Sequence, residues 1–473
     1  PLVLQSTDTT DHPEYGGADI ITLTGNGNNT VIGGMGGDDI DSGVGANGTD
    51  IILGDNGQII YSEADGSLDL SQIISTVIDD GGNDVITMGN GDKTVVAGFG
   101  ADDVDAGIGT HTVIGDNGQI TYTADGAPLV IASTDTADHP EYGDGDTIDL
   151  GDGDNTVISG MGADVINSGV LANGTDILLG DNGTITYDET DGTLDLSLIE
   201  STEISAGGND VITTGNGDKT IFGGFGADQA TMGAGDHTVI GDNGMITYDT
   251  DGTPKVLESI DTTTNAAYGG DDVIIMGAGD NTVIGGMGAD DITGTTGTEI
   301  ILGDNGRITY TGPTGGLTLS EIVSLETTSG GNDEITSGDG NKTVVAGSGS
   351  DEVTYGLGNH IVIGDNGQIQ YSGGIPTIFQ TTGGSGGGDQ INLGSGNNVV
   401  LGGLGGDQIR TASGQDVILG DNGRVDSFGN LDALRLEDII STALSAGGND
   451  VITAGNGYKT VVGGVGADDV TAG

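Results

Sequence analysis

Cysteine is absent from the 473 residues, so neither a disulfide framework nor a thiolate metal site can support the fold. Tryptophan is absent too, aromatics make up 3%, and 97 residues are glycine. A chain this long would ordinarily form about three domains, but it holds too little bulky side chain for three ordinary cores. Basic residues are equally scarce. Nine Lys and Arg stand against 73 Asp and Glu, a formal charge of −64. That balance excludes a nucleic-acid or acidic-membrane partner, and it makes any compact state self-repelling unless cations are bound. No apolar run approaches the roughly 18 residues of a membrane span, and no charged start is followed by an apolar core as in a signal peptide. What is present is 34% apolar residues in short Val/Ile runs, the mark of ordered β structure rather than a solvated acidic tail.

The runs belong to an internal repeat. GGMGGDDID at 33–41 returns as GGFGADQAT (223–231), GGMGADDIT (285–293), GGLGGDQIR (402–410) and GGVGADDVT (463–471), with looser copies at 97, 159 and 346. GDNG recurs at 54, 115, 180, 241, 303, 364 and 420, in steps of 61, 65, 61, 62, 61 and 56 residues. Units are expected at 16–80, 81–142, 143–206, 207–268, 269–329, 330–385, 386–446 and, in part, 447–473, after the end of a preceding unit at 1–15. Two types alternate, TDIILGDNG (49–57) and HTVIGDNG (111–118), so the larger period is a pair. PLVLQSTD (1–8) resembles PLVIASTD (128–135) and the chain stops within GADDVTAG, which reads as an excerpt of a longer array.

Short β runs separated by G-x-G predict strand, tight turn, strand, turn, with the apolar residue two places after each Asp pointing inward. A nine-residue repeat of that kind winds into a solenoid whose turns fall alternately on two edges, so loops 18 residues apart stack. Asp84, Asp146, Asp210, Asp272, Asp333, Asp389 and Asp450 each precede Asp102, Asp164, Asp228, Asp290, Asp351, Asp407 and Asp468 by 18; Asp19 and Asp38 are off by one. Two such charges 5 Å apart repel by ~3 kcal/mol at an effective dielectric near 20. Ca²⁺, which takes six to eight oxygens in flexible geometry, would relieve each pair better than the stricter Mg²⁺. Asx-type turns are the plainer alternative for these Asp.

On the opposite edge stand Asn29, Lys93, Asn155, Lys219, Asn281, Lys342, Asn398 and Lys459, four of the five lysines of the chain. Their expected neighbours toward GDNG are Asp50, His111, Asp176, His237, Glu299, His360 and Asp416. Asn with an acid (Asn29/Asp50, Asn155/Asp176, Asn281/Glu299, Asn398/Asp416) could form a weaker Ca²⁺ site, and Lys93, Lys219, Lys342 and Lys459 could replace the cation in the other units. GDNG reads most simply as a hairpin turn, with metal binding by its Asp as the alternative. The segments after it, such as YSEADGSLDL, read as inserts of strand or one helical turn.

The nonapeptide GGxGxD, then any residue and a large apolar one, resembles the calcium-binding repeat of the RTX (hemolysin-type) family over about the first half of each unit. That resemblance implies a parallel β-roll with multiple Ca²⁺ between stacked turns, the paired Asp above as ligands, secretion, and folding driven by calcium outside the cell. The expected class is all-β: parallel β-roll or β-solenoid segments interrupted by hairpin inserts, in a rod-like array. The expected function is a calcium-stabilised structural repeat of an extracellular or cell-surface protein (adhesin stalk, filament or surface-layer element), whose partners are calcium and other copies or neighbouring repeats. Alternatives are a non-catalytic module of a secreted enzyme or toxin and, through Thr30, Thr94, Thr156, Thr220, Thr282, Thr343 and Thr460, an ice- or surface-binding face. No enzyme is expected: all five His (His12, His111, His139, His237, His360) fall at repeat-equivalent places, which suits structure better than an active site.

Overall fold

The computed structural model describes residues 2–6, 16–43, 47–63, 67–136, 139, 143–190, 192–261, 264–428, 431, 435–442 and 446–473. His12 lies outside them. Among the described residues the regular structure is strand, with no α-helix. Two compact units divide the chain: 1–233 with 250–252, and 234–249 with 253–473.

Each unit is built from the same three ladders. The first is parallel and begins just after the Asp positions; in the first unit Asp39–Asp41, Val85–Thr87, Asp103–Ala106, Thr147–Leu150 and Val165–Asn173 pair in succession. The second is also parallel and begins at the Asn, acid, Lys or His positions: Asp50–Leu53, Lys93–Val96, His111–Ile114, Thr156–Ile158 and Asp176–Leu179. The third is antiparallel and made from the inserts. Gly57–Glu63 pairs with Leu68–Ser75, Gly118–Tyr122 with Pro128–Ser133, and each hairpin pairs with the next through Gln119↔Ile74 and Val130↔Thr186. The second unit repeats the scheme, for example Asn281–Gly286, Glu299–Asp304 and Lys342–Gly347 in the second ladder and Gly306–Thr311 with Thr318–Ser324 in the third.

Burial explains the strand sequences. The residue two places after each Asp does point inward: Ile40, Ile86, Val104, Ile148 and Ile166 are fully buried. The second ladder is covered on both faces, by the first ladder and by the hairpins, so its strands are continuously apolar after their first two residues (Val95 and Val96, Val113 and Ile114). The hairpins contribute one inward row, Ile59, Ile73, Ile120, Ile131, Ile185 and Ile199. A register shift just before Tyr61, Tyr122, Tyr187, Tyr310 and Tyr371 marks a β-bulge in each hairpin. The ring that follows is set beside a threonine of the second ladder: Tyr122 by Thr94, Tyr187 by Thr156, Tyr310 by Thr282, Tyr371 by Thr343. Those threonines are therefore half-covered rather than displayed as a flat face.

Two expectations change. The segments after GDNG are strands, and they do not break the ladders: the chain leaves one edge, makes a hairpin and returns to the same edge. GDNG itself is not the hairpin turn. His111–Ile114 and Gly118–Tyr122 flank it but belong to different ladders, so it is the corner at which the chain passes from one to the other. The hairpin reverses at the later Asp-Gly, where Gly126 has φ of 82°.

Candidate functional site: two columns of buried polar side chains

At the edge formed by the GGxGxD loops, Gly98 (φ 123°) and Gly100 (φ 115°) adopt conformations that side chains strain to reach, and they bring the loop close over Asp55 and over Gly82 and Asn83 of the neighbouring rung. The Asp then stack. The N–H of each donates to Oδ1 of the Asp on the next rung, at 2.6–2.8 Å from Asp19 through Asp38, Asp84, Asp102, Asp146, Asp164 and Asp210 to Asp228. The same bonds of 2.9–3.2 Å join Asp272, Asp290, Asp333, Asp351, Asp389, Asp407, Asp450 and Asp468. The 18-residue partners are neighbours as read from sequence, and Asp19 stacks on Asp38 despite its extra residue. The structure adds the bonds that close over the hairpins, 38 to 46 residues apart, so that each unit holds one uninterrupted column instead of separate pairs. Asp19 is exposed and Asp468 half-buried; the Asp between them are buried.

Only one oxygen of each carboxylate is used by that ladder. Among the described residues, Oδ2 of Asp38, Asp84, Asp102, Asp146 and Asp210, and of Asp290, Asp333, Asp351, Asp389, Asp407 and Asp450, is buried with no hydrogen-bond partner. Another acceptor lies close by. A methyl group added to Gly54 would overlap both Oδ2 of Asp84 and the carbonyl oxygen of Ala97; Gly285 relates in the same way to Asp290 and the carbonyl of Gly303. Acceptor against acceptor in a dry edge is unfavourable unless a proton or a cation lies between them. Burial accordingly pushes these carboxyls up: Asp84 and Asp407 to about 8, Asp351 to about 7, Asp389 to about 10.

The GDNG Asp clamps this edge. Oδ2 of Asp181, Asp242, Asp304, Asp365 and Asp421 accepts the N–H of Phe225, Met287, Ser348, Leu404 and Val465 in the loop of the next rung. Their Oδ1 accepts from Gly208, Gly270, Gly331, Gly387 and Gly448 at 2.9–3.2 Å. Asp55 and Asp116 make the first kind of bond, to Phe99 and Met161, while their Oδ1 has no partner among the described residues. The Asn that follows holds the returning leg, as when Asn117 Nδ2 donates to Asp135 Oδ1 (3.0 Å) and to the carbonyl of Ile78 (3.3 Å).

The opposite edge carries a four-rung order of Asn, acid, Lys, His. Lys93 is in register with His111 on one side and with Asp50 on the other. Its ammonium turns to the acid: Nζ lies 3.0 Å from Asp50 Oδ2, both side chains being wholly buried, and donates to the carbonyls of Gly48 and Asn90. Lys219 meets Asp176 at 3.0 Å, Lys342 meets Glu299 at 3.2 Å, and Lys459 meets Asp416. The other acid oxygen is held as well. Asp50 Oδ1 accepts from Asn29 N (2.9 Å) and Nδ2 (2.8 Å), and Asp416 Oδ1 from Asn398 N (3.1 Å) and Nδ2 (3.0 Å). Asn155, Asn281 and Asn398 also take the N–H of His111, His237 and His360 on Oδ1, and Asn155 N bonds to Asp176 Oδ1. The acids expected to share a second ion with Asn are thus bonded to the lysine of the following repeat, 43 residues on, and Asp50 and Asp416 hold Asn directly through their other oxygen.

Fit to calcium can be judged from the first column. Its donors are all hard oxygens, carboxylate and carbonyl, which suits Ca²⁺. Among the described residues no three carboxylates or imidazoles form a group that could hold one ion, so an ion here would draw on carboxylates of successive rungs and on main-chain oxygens. No family model, curated protein or solved structure matches this chain.

Proposed function

We propose that this chain is a non-catalytic structural repeat segment, ordered outside the cell by calcium that neutralises its Asp columns. The observation that carries the reading is the column of buried carboxylates in which Oδ2 of Asp38, Asp84, Asp102, Asp146, Asp210, Asp290, Asp333, Asp351, Asp389, Asp407 and Asp450 has no partner among the described residues, with carbonyl oxygens close by at Gly54 and Gly285. At neutral pH such a column must be neutralised, and a chain of charge −64 has few cations of its own. Its three buried lysines and the half-buried Lys459 are spent on the opposite edge. Calcium bound between rungs would contribute its binding free energy to folding, so a chain in a calcium-poor cytosol would remain expanded and fold on reaching millimolar calcium. An adhesin stalk, an extracellular filament or a surface layer would use that property. The ligands proposed are the Asp of the column, with Asp84/Asp102, Asp146/Asp164, Asp210/Asp228, Asp272/Asp290, Asp333/Asp351, Asp389/Asp407 and Asp450/Asp468 as the 18-residue pairs, and Asp19/Asp38 at the first rung. Far-UV circular dichroism of the whole chain at neutral pH tests it: β structure should form on adding calcium and vanish in chelator. Identical spectra and melting in both would assign the column to turn chemistry alone.

A further inference from the structure

The second column holds more than an ion pair. On four successive rungs it places a carboxylate with one oxygen gripped by two N–H donors, an amine against the other oxygen, and an imidazole with a bare nitrogen. In the first unit these are Asp50, Asn29, Lys93 and His111. His111 Nε2 lies 2.8 Å from the carbonyl of Gly107, which can only accept, so the proton is on Nε2 and Nδ1 is left bare; it is buried and has no partner among the described residues. Rungs of a parallel ladder lie about 4.8 Å apart, and His111 stands on the rung next to Lys93. In the second unit Glu299, Lys342 and His360 repeat the order, with His360 Nε2 3.2 Å from the Gly356 carbonyl and Nδ1 again bare. Ser42 Oγ is 3.0 Å from Asp50 Oδ2, and Ser337 Oγ is 3.0 Å from Glu299 Oε1.

We propose that Asp50–Lys93 and Glu299–Lys342 are sites of spontaneous intramolecular amide (isopeptide) cross-linking. The step balances without an outside reagent. His111 takes one proton from the Lys93 ammonium, and the free Nζ adds to Cγ of Asp50. The charge that develops on Oδ1 is held by the Asn29 N–H and Nδ2–H, as in an oxyanion hole. The Cγ–Oδ2 bond then breaks, and Oδ2, held by the Ser42 hydroxyl, leaves as water with two protons from Nζ, one of which His111 has restored to the nitrogen. Carboxylate and ammonium become amide and water; nothing is oxidised or reduced. Burial of both groups excludes the water that would hydrolyse the product and fixes the partners at high effective concentration. The linkage would span successive repeats, adding a covalent staple to a fold with no cysteine, and it does not depend on what fills the Asp column.

The test is the intact mass of the purified, folded whole chain after denaturation. The expected mass is below the sequence mass by one water for each bond, with linked peptides joining the segments around Asp50 and Lys93 and around Glu299 and Lys342. Lys93→Arg keeps a cation beside Asp50 but cannot form the amide, and should restore the mass of one water. His111→Gln should slow the loss of mass at that site only, measured from the time of folding. A folded chain that keeps its full sequence mass, or a loss of mass unaffected by Lys93→Arg and Lys342→Arg together, overturns the proposal.

Discussion

In chelator, raising the pH from 5 to 8 should unfold the chain. Asp84, Asp365 and Asp407 are buried carboxyls held at about 8 in the fold, against about 3.9 in an unfolded chain. Between those values the folded state binds protons that the unfolded state has released. The stability these groups contribute is therefore complete below the unfolded value and is lost as pH climbs toward the folded one. Each costs ~1.4 kcal/mol per pH unit, so the three together remove on the order of 10 kcal/mol between pH 5 and 8, comparable to the ~5–15 kcal/mol that holds a domain together. Asp146, Asp210, Asp290 and Asp333 are likewise pushed well above the usual carboxylate range by burial and by neighbouring Asp and add to the same slope. His111 and His360, held neutral by burial, pull the other way below about pH 6.5, but they are outnumbered. The assay is thermal melting followed by circular dichroism at each pH, with chelator and with calcium. The melting point should fall steadily with pH in chelator and stay nearly level in calcium. A melting point in chelator that is flat or rises from pH 5 to 8 would refute the reasoning.

Three further outcomes follow from the packing. Lys93→Ala leaves Asp50 buried and unpaired and should cost about 3–5 kcal/mol, whereas Lys93→Met with Asp50→Leu should cost much less; chemical denaturation of both variants in calcium measures the difference. Asp181→Ala removes acceptors from the N–H groups of Phe225 and Gly208 and should lower stability by ~2–4 kcal/mol, read as a loss of amide-exchange protection at those two positions first. Gly54→Ala drives a methyl into Asp84 Oδ2 and the Ala97 carbonyl and should destabilise by about 1–3 kcal/mol or more, while Gly126→Ala, at an open turn, should cost less; paired melting curves decide.

The repeat makes much of this legible in the sequence. Stacking at 18 residues follows from two nine-residue halves, and the inward Ile and Val after each Asp follow from strand alternation. What could not be read was anything that crosses an insert. Asp102 bonds to Asp146 over 44 residues, and Lys93 reaches back 43 to Asp50; hairpins of varying length hide a fixed period, so the column looked like pairs and the lysine seemed matched only with His111. GDNG misled for a local reason. Asn-Gly between β runs signals a hairpin when the flanking strands pair, but here Asp116 and Asn117 spend their side chains on the next loop and the returning leg, which holds the strands apart as a corner. The bulge before each Tyr, and the cover it gives Thr94 or Thr156, had no signal beyond the recurrence of Tyr itself.

The most direct measurement of the central claim is the amount of calcium that the folded chain retains at equilibrium dialysis near neutral pH, compared with Asp102→Asn and Asp290→Asn variants. The account predicts several tightly held ions per chain, with fewer in each variant. A folded chain that retains none, or variants that retain as many as the parent, would contradict it.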